Sequence, residues 1–106
     1  MIAGGVLVHG GAGTAELARH PALVDGVRRA ARAGRDALAA GANAVDAAVA
    51  AVRVLEDDPE FNAGRGAVLT VRGTVEADAT IMDGATGRIG AIGAVPGAAF
   101  PIELAR

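Results

Sequence analysis

Residues 55–66 read LEDDPEFNAGRG, and the reading of this stretch decides the fold on either side of it. Glu56, Asp57 and Asp58 follow a long run of alanine and valine at helical spacing, so they fall at the carboxyl end of a helix. The helix dipole disfavours negative charge there. Pro59 forbids the helix to continue, and its missing N–H leaves the last helical carbonyls one donor short. Two arrangements would relieve the acids. The carboxylates can face water, or the carbonyl oxygens of a tight loop, with anionic side chains close by, can gather around a hard monovalent or divalent cation. The residues alone leave both open.

Upstream, Asn43 is a good N-cap and Asp46, three positions on, completes a pair resembling a capping box. Val45, Val49, Val52 and Leu55 form the apolar stripe of this helix, and the alanines between them permit close approach of another element. An earlier helix is expected from Pro21, where a missing N–H costs nothing, to Gly41. Its apolar side carries Leu23, Val27, Ala30, Ala31 and Leu38, and Arg28, Arg32 and Arg35 lie opposite. Before it, Ile2–His9 (IAGGVLVH) reads as a buried strand running into the glycine loop His9-Gly10-Gly11-Ala12-Gly13.

Downstream, GAVLTV, TVEADATIMD and RIGAIGAV are three strand-like runs separated by turns at Arg72-Gly73 and Gly84–Gly87, which predicts an antiparallel meander. FPIELAR then reads as the first turn or two of a further helix. The expected order is β-α-α-β-β-β in a mixed α/β (α+β) fold, with no internal repeat, linker or low-complexity segment.

A chain of 106 residues allows one domain, burying roughly two thirds of its unfolded surface. Phe61 and Phe100 are its only aromatics, so each core residue brings little area and a partner layer is expected. A net charge of −2 without a basic stripe argues against nucleic-acid and membrane-surface partners. The absence of cysteine removes disulfides, zinc ribbons and thiol nucleophiles. With no apolar run of spanning length and no signal-peptide pattern, a cytoplasmic protein is expected.

Several residues are candidates for chemistry. The HGGAG loop can be a phosphate cradle, but the following helix starts late and there is no lysine. It can be the oxyanion loop of an α/β-hydrolase, but the chain has no serine for a nucleophile elbow. It can also be only a tight turn. His9 and His20 share no metal-binding spacing with the acids and read as packing or surface residues. Glu76 and Asp78 alternate onto one strand face as a possible carboxylate pair, although a solvated face is the simpler reading, and Asp83 before Gly84 is a turn residue.

Taken in order, VHGGAG, NAVDAAVAAV, LEDDPEFNAGRGAVL and GTVEADATIMDG resemble the N-terminal part of the plant-type L-asparaginase and isoaspartyl peptidase family, relatives of glycosylasparaginase, from Val6 to Arg106. The resemblance implies part of an αββα N-terminal nucleophile hydrolase sandwich, with residues 1–106 forming the front of the α subunit. Such a precursor cuts itself, and the freed N-terminal threonine of the β subunit attacks L-asparagine or a β-aspartyl dipeptide, its own amino group acting as base.

That threonine would lie beyond Arg106, so the chain by itself is expected to be inactive. Gly73-Thr74-Val75 imitates the cleavage motif, but the EADATIMDG that follows matches an α-subunit strand. The resemblance further implies a structural sodium ion held by the main-chain oxygens of Leu55, Glu56, Asp58, Phe61, Ala63 and Arg65. It implies that Asn62 is aimed at the nucleophile, that Gly10 helps fix the geometry for autocleavage, and that the complete protein is a homo-oligomer of αβ units. Phe100 departs from the asparagine common at that position of the family. Two other readings stand beside this one: a non-catalytic binding or assembly module that keeps the sodium loop, and an α/β-hydrolase-like enzyme with its nucleophile elsewhere.

Overall fold

The structure, a computed structural model, describes residues 4–106. Its helices are α1 (His20–Ala39), α2 (Ala44–Asp57) and α3 (Pro101–Ala105), and its strands are β1 (Glu76–Met82) and β2 (Ile89–Pro96). A 3-10 turn, Leu17–Arg19, leads into α1, and another, Gly64–Gly66, lies in the loop after α2.

Helix α1 takes Pro21 in its first turn, as the sequence requires, and stops where Gly41 turns left-handed at φ +92°. There the Ala42 N–H reaches the Ala37 carbonyl and the Gly41 N–H the Leu38 carbonyl, both at 3.0 Å, which closes the helix in a Schellman motif. Two residues later the Asn43 Oδ1 accepts the Asp46 N–H at 2.9 Å and opens α2. Only half of the expected capping box forms, because the Asp46 carboxylate pairs with Arg106.

The short connection folds α1 back along α2. The deepest positions on α1 are Gly26, Ala30 and Gly34, four residues apart; Gly34 packs on Ala47 of α2, and Gly26 on the Phe61 ring beyond the end of that helix. A Cβ on Gly34 would lie 3.2 Å from the Ala47 carbonyl, so the backbones themselves are close. The other apolar residues named from the sequence, Leu23, Val27, Ala31 and Leu38, are half-buried.

Strands β1 and β2 form an antiparallel hairpin closed by Asp83–Arg88. Its register slips once: Gly93 and Ala94 oppose the single Asp78, whose Oδ1 accepts the Ala94 N–H at 2.7 Å and holds Ala94 at φ +52°. Helix α3 lies across this hairpin so closely that a Cβ on Gly90 would meet the Ala105 carbonyl at 1.7 Å.

The sheet corrects the expected order. Of the predicted strands, GAVLTV makes one isolated bridge, Leu69 to Val75, and Gly4–His9 forms no strand; Ile2 and Ala3, the start of that predicted strand, lie outside the described residues. The observed order is α-α-β-β-α, a mixed fold of helices and strands. A strand exists only through its ladder partner, and these two segments have the composition of strands but no neighbour. The radius of gyration, 14.4 Å, exceeds the ~13 Å of a closed domain of this length. Among the described residues no helix is long and apolar enough to cross a membrane.

Candidate functional site

The loop after α2 answers the question raised by its three acids, because each acid has its own partner. Glu56 is 3 % exposed, and its Oε1 accepts the Ile102 N–H at 3.0 Å, so a side chain from the end of α2 caps the start of α3. Its Oε2 is buried without a hydrogen-bond partner among the described residues. Burial pushes the Glu56 carboxyl above its ordinary value, opposed by the Ile102 N–H; the Glu103 carboxylate adds to the rise and Arg53 opposes it. Asp57 pairs with Arg65 at 2.9 Å. The Asp58 Oδ2 accepts from Arg29 at 2.6 Å while its Oδ1 accepts the Glu60 N–H at 3.0 Å. Two of the acids are therefore neutralised by arginines within the fold, and the third is taken out of water.

Asp58-Pro59-Glu60-Phe61 is a β-turn, with the Phe61 N–H on the Asp58 carbonyl at 3.2 Å, aspartate first and proline second as such turns favour. The turn delivers Phe61, 4 % exposed, into a slot that only glycines leave open: a Cβ on Gly26 would stand 2.4 Å from its ring, and one on Gly10 2.8 Å. Beyond it the chain doubles back tightly. A Cβ on Gly66 would lie 2.1 Å from the Phe61 oxygen and 2.7 Å from the Pro59 oxygen, and one on Gly64 2.5 Å from the Glu56 oxygen. Main-chain oxygens of Glu56, Pro59 and Phe61 thus press on the two glycines of the loop. Those of Leu55, Asp58, Phe61 and Ala63 each accept one loop N–H and keep a second lone pair.

The glycine loop approaches from the other side. Between it and the turn lies an open cleft of about 620 Å³, lined by His9–Ala15, Arg19, Leu23, Leu55, Pro59–Ala63, Gly66 and Val68. Gly10 and Asn62 therefore share one cavity, as do Leu55, Phe61 and Ala63; Glu56, Asp58 and Arg65 lie outside its lining. The Asn62 Oδ1 accepts the Val68 N–H at 2.9 Å, which fixes the orientation of the side-chain amide and leaves its NH₂ and one oxygen lone pair able to act on a guest.

The remaining candidates have local work. The His9 Nδ1 accepts the Gly11 N–H at 3.1 Å, and the His20 Nε2 meets the Ala15 carbonyl at 3.3 Å. No group of three or more His, Asp or Glu among the described residues is arranged to hold a metal. Glu76 leans on Arg72 and Asp78 pins the bulge, so they do not act as a carboxylate pair. Thr74 is bound into a turn, its Oγ1 2.9 Å from that of Thr70. Asp83 holds the hairpin turn through Ala85 and Thr86, and the Thr86 hydroxyl, followed by the Ala85 N–H, keeps its carboxyl below the usual carboxylate range.

Two arginines were not singled out from the sequence. Arg19 grips the turn through the Glu60 carboxylate at 3.0 Å and the Glu60 carbonyl at 2.9 Å, and Arg29 grips it through Asp58. The four-residue spacing of Asp25 and Arg29 is the one local signal by which the sequence could have shown part of this, since the other contacts of the two arginines span the fold.

The family model described as Asparaginase matches residues 3–106. The chain is 52 % identical over 102 residues to an isoaspartyl peptidase/L-asparaginase of Homo sapiens, and 50 % identical over 101 residues to one of Danio rerio. It is 49 % identical over 102 residues to a plant-type L-asparaginase of Pyrococcus abyssi (strain GE5 / Orsay). Each match covers 95 % of this chain and 33 % of the relative, so the chain spans about a third of the length of the curated relatives it matches. With a family model matched over nearly its whole length and half of its residues identical to these relatives, the chain belongs to the asparaginase family.

Proposed function

We propose that residues 1–106 are the N-terminal portion of an isoaspartyl peptidase/L-asparaginase that hydrolyses β-aspartyl dipeptides or the side-chain amide of L-asparagine. The catalytic threonine would be contributed by a β subunit outside these residues. The observation that carries this reading is the single cleft that joins the Gly10 loop to the turn bearing Asn62.

In this reading Asn62 offers its NH₂ to the threonine or to the oxygen that gains charge as the amide is attacked, and its own oxygen stays anchored on Val68. Gly10, with no side chain, lets backbone and Phe61 close on each other at the rear of the cleft, where precursor cleavage would also take place. The main-chain oxygens of Leu55, Glu56, Asp58, Phe61, Ala63 and Arg65 fit a structural sodium ion: the loop bends where only glycine is tolerated, and the oxygens of Glu56 and Phe61 crowd those glycines. The ion would supply fixed positive charge to stiffen the loop. The rest of the αββα sandwich, and assembly of αβ units into a homo-oligomer, would cover Leu7, Val71, Met82 and Ile89, which are exposed.

The test is complementation. The chain is mixed with the remaining portion of a relative, and hydrolysis of a β-aspartyl dipeptide is followed alongside the chain alone. Activity only in the mixture supports the proposal. Turnover by the chain alone overturns the external threonine, and a stable complex without turnover favours a non-catalytic assembly module.

A further inference from the structure

We propose that Arg29 is a positioning residue for Asn62, acting through Asp58; the inference rests on the reading of Asn62 as the group that works in the cleft. Asp58 is the hinge of the arrangement. Its side chain is 10 % exposed and both of its carboxylate oxygens are engaged, Oδ1 inside its own turn with the Glu60 N–H and Oδ2 outside it with the Arg29 guanidinium. Its carbonyl takes the Phe61 N–H. One residue thus shapes the turn and fastens it to α1, and the next residue after that turn is Asn62.

The geometry explains why an arginine stands at this position. Arg29 reaches Asp25 with Nε at 2.8 Å and Asp58 with Nη2 at 2.6 Å, so one planar guanidinium spans two carboxylates on different elements. Asp25, one turn back on the same helix, orients the fork, and Asp58 receives it. The Gly26 slot beside this pair accepts the Phe61 ring, and a Cβ there would also lie 3.0 Å from the Asp58 Oδ2. Helix, ring and turn are consequently locked together, and Asn62 leaves the turn in one direction. Without the guanidinium, Asp58 would be a nearly buried carboxylate with one oxygen unpaired, and it would turn outward to water. The turn would lose its inner bond to Glu60 together with its outer one.

The experiment compares Arg29→Met, Arg29→Lys and Asp25→Asn in the 106-residue chain, following backbone amide exchange and the Val68 amide proton shift by NMR. The expected result for Arg29→Met is at least tenfold faster exchange at Glu60 and a shifted Val68 proton, with the hairpin amides of Ala79 and Ile92 unchanged. Arg29→Lys, which retains a charge for Asp58, restores part of the protection. Asp25→Asn leaves both probes close to wild type, because the Arg29–Asp58 pair survives.

Unchanged Glu60 and Val68 signals in Arg29→Met overturn the proposal. So does an equal change in Asp25→Asn, which would mean that Arg29 serves only the helix, or equal acceleration of the hairpin amides. If Arg29→Met does not fold, the Lys and Asn variants decide between the same outcomes. A parallel complementation assay of Asn62→Ala with the remaining portion of a relative reads the role of Asn62 alone: turnover kept there overturns the reading of Asn62, whereas the exchange and shift data on the Arg29 variants decide the positioning, so the two failures are distinguishable.

Discussion

The α1–α2 half of the molecule and the β1–β2 half solve the same problem, a shortage of large apolar side chains, in different ways. The helices bury Ala30, Gly34, Ala47 and Ala51, with Gly34 against the Ala47 carbonyl, and each acid at the exit of α2 meets a partner within the fold. The hairpin has one face against α3 and leaves Met82 and Ile89, which face each other across the ladder, open on the other. Small residues suffice where two helices can approach backbone to backbone. A two-stranded sheet needs a second layer, because neither strand edge nor outer face can be closed by its own residues. The first half is close to self-sufficient, and the second is shaped for a neighbour.

The change that would most erase this contrast is Phe61→Ala. It empties the slot between Gly10 and Gly26, so a loss of about 3–5 kcal/mol is expected, read as a lower denaturation midpoint. If the variant unfolds at the wild-type midpoint, the helical half is not built around that ring.

Next comes the junction between the halves. Because the Glu56 pKa is raised in the folded state, the native form favours its proton, and the stabilising contribution is fully present below the unfolded value of 4.5. It is lost as pH rises through the folded value. Glu56→Gln keeps an acceptor for the Ile102 N–H and removes the charge, so the decline in stability above pH 4.5 should flatten. An unaltered pH profile would show that the buried carboxyl does not set it.

The smallest effect on stability is expected in the hairpin. Replacing Met82 and Ile89 together by threonine should change unfolding free energy by less than ~0.5 kcal/mol, since both residues are exposed. Self-association measured by sedimentation should nonetheless fall. A large loss of stability would mean that this face is already covered.

The parts legible in the sequence were those governed by local chemistry. Pro21, Gly41 and Asn43 marked the helix boundaries because each acts on backbone within a turn or two, and Asp83 and Gly87 did the same for the hairpin. The resemblance named Gly10 and Asn62, but no spacing in the sequence linked them, since their loops are far apart in the chain; the cleft they line is visible only in the fold. The strand pattern misled at Gly4–His9 and Gly66–Val71, where composition describes a strand but pairing must create it. The bulge at Asp78 was equally invisible, because simple alternation carries no sign of an extra residue opposite it.

The sequence by itself determined where the helices begin and end, which turn joins the two strands, and that three carboxylates would crowd one helix terminus. Only the tertiary structure decided what those carboxylates do: Asp57 meets Arg65, Asp58 meets Arg29, and Glu56 caps a helix whose first turn lies more than forty residues further on. The reason is physical. A helix end is set by bonds among neighbours in the chain, whereas the partner of a charge is whichever donor the folded backbone carries to within about 3 Å of it.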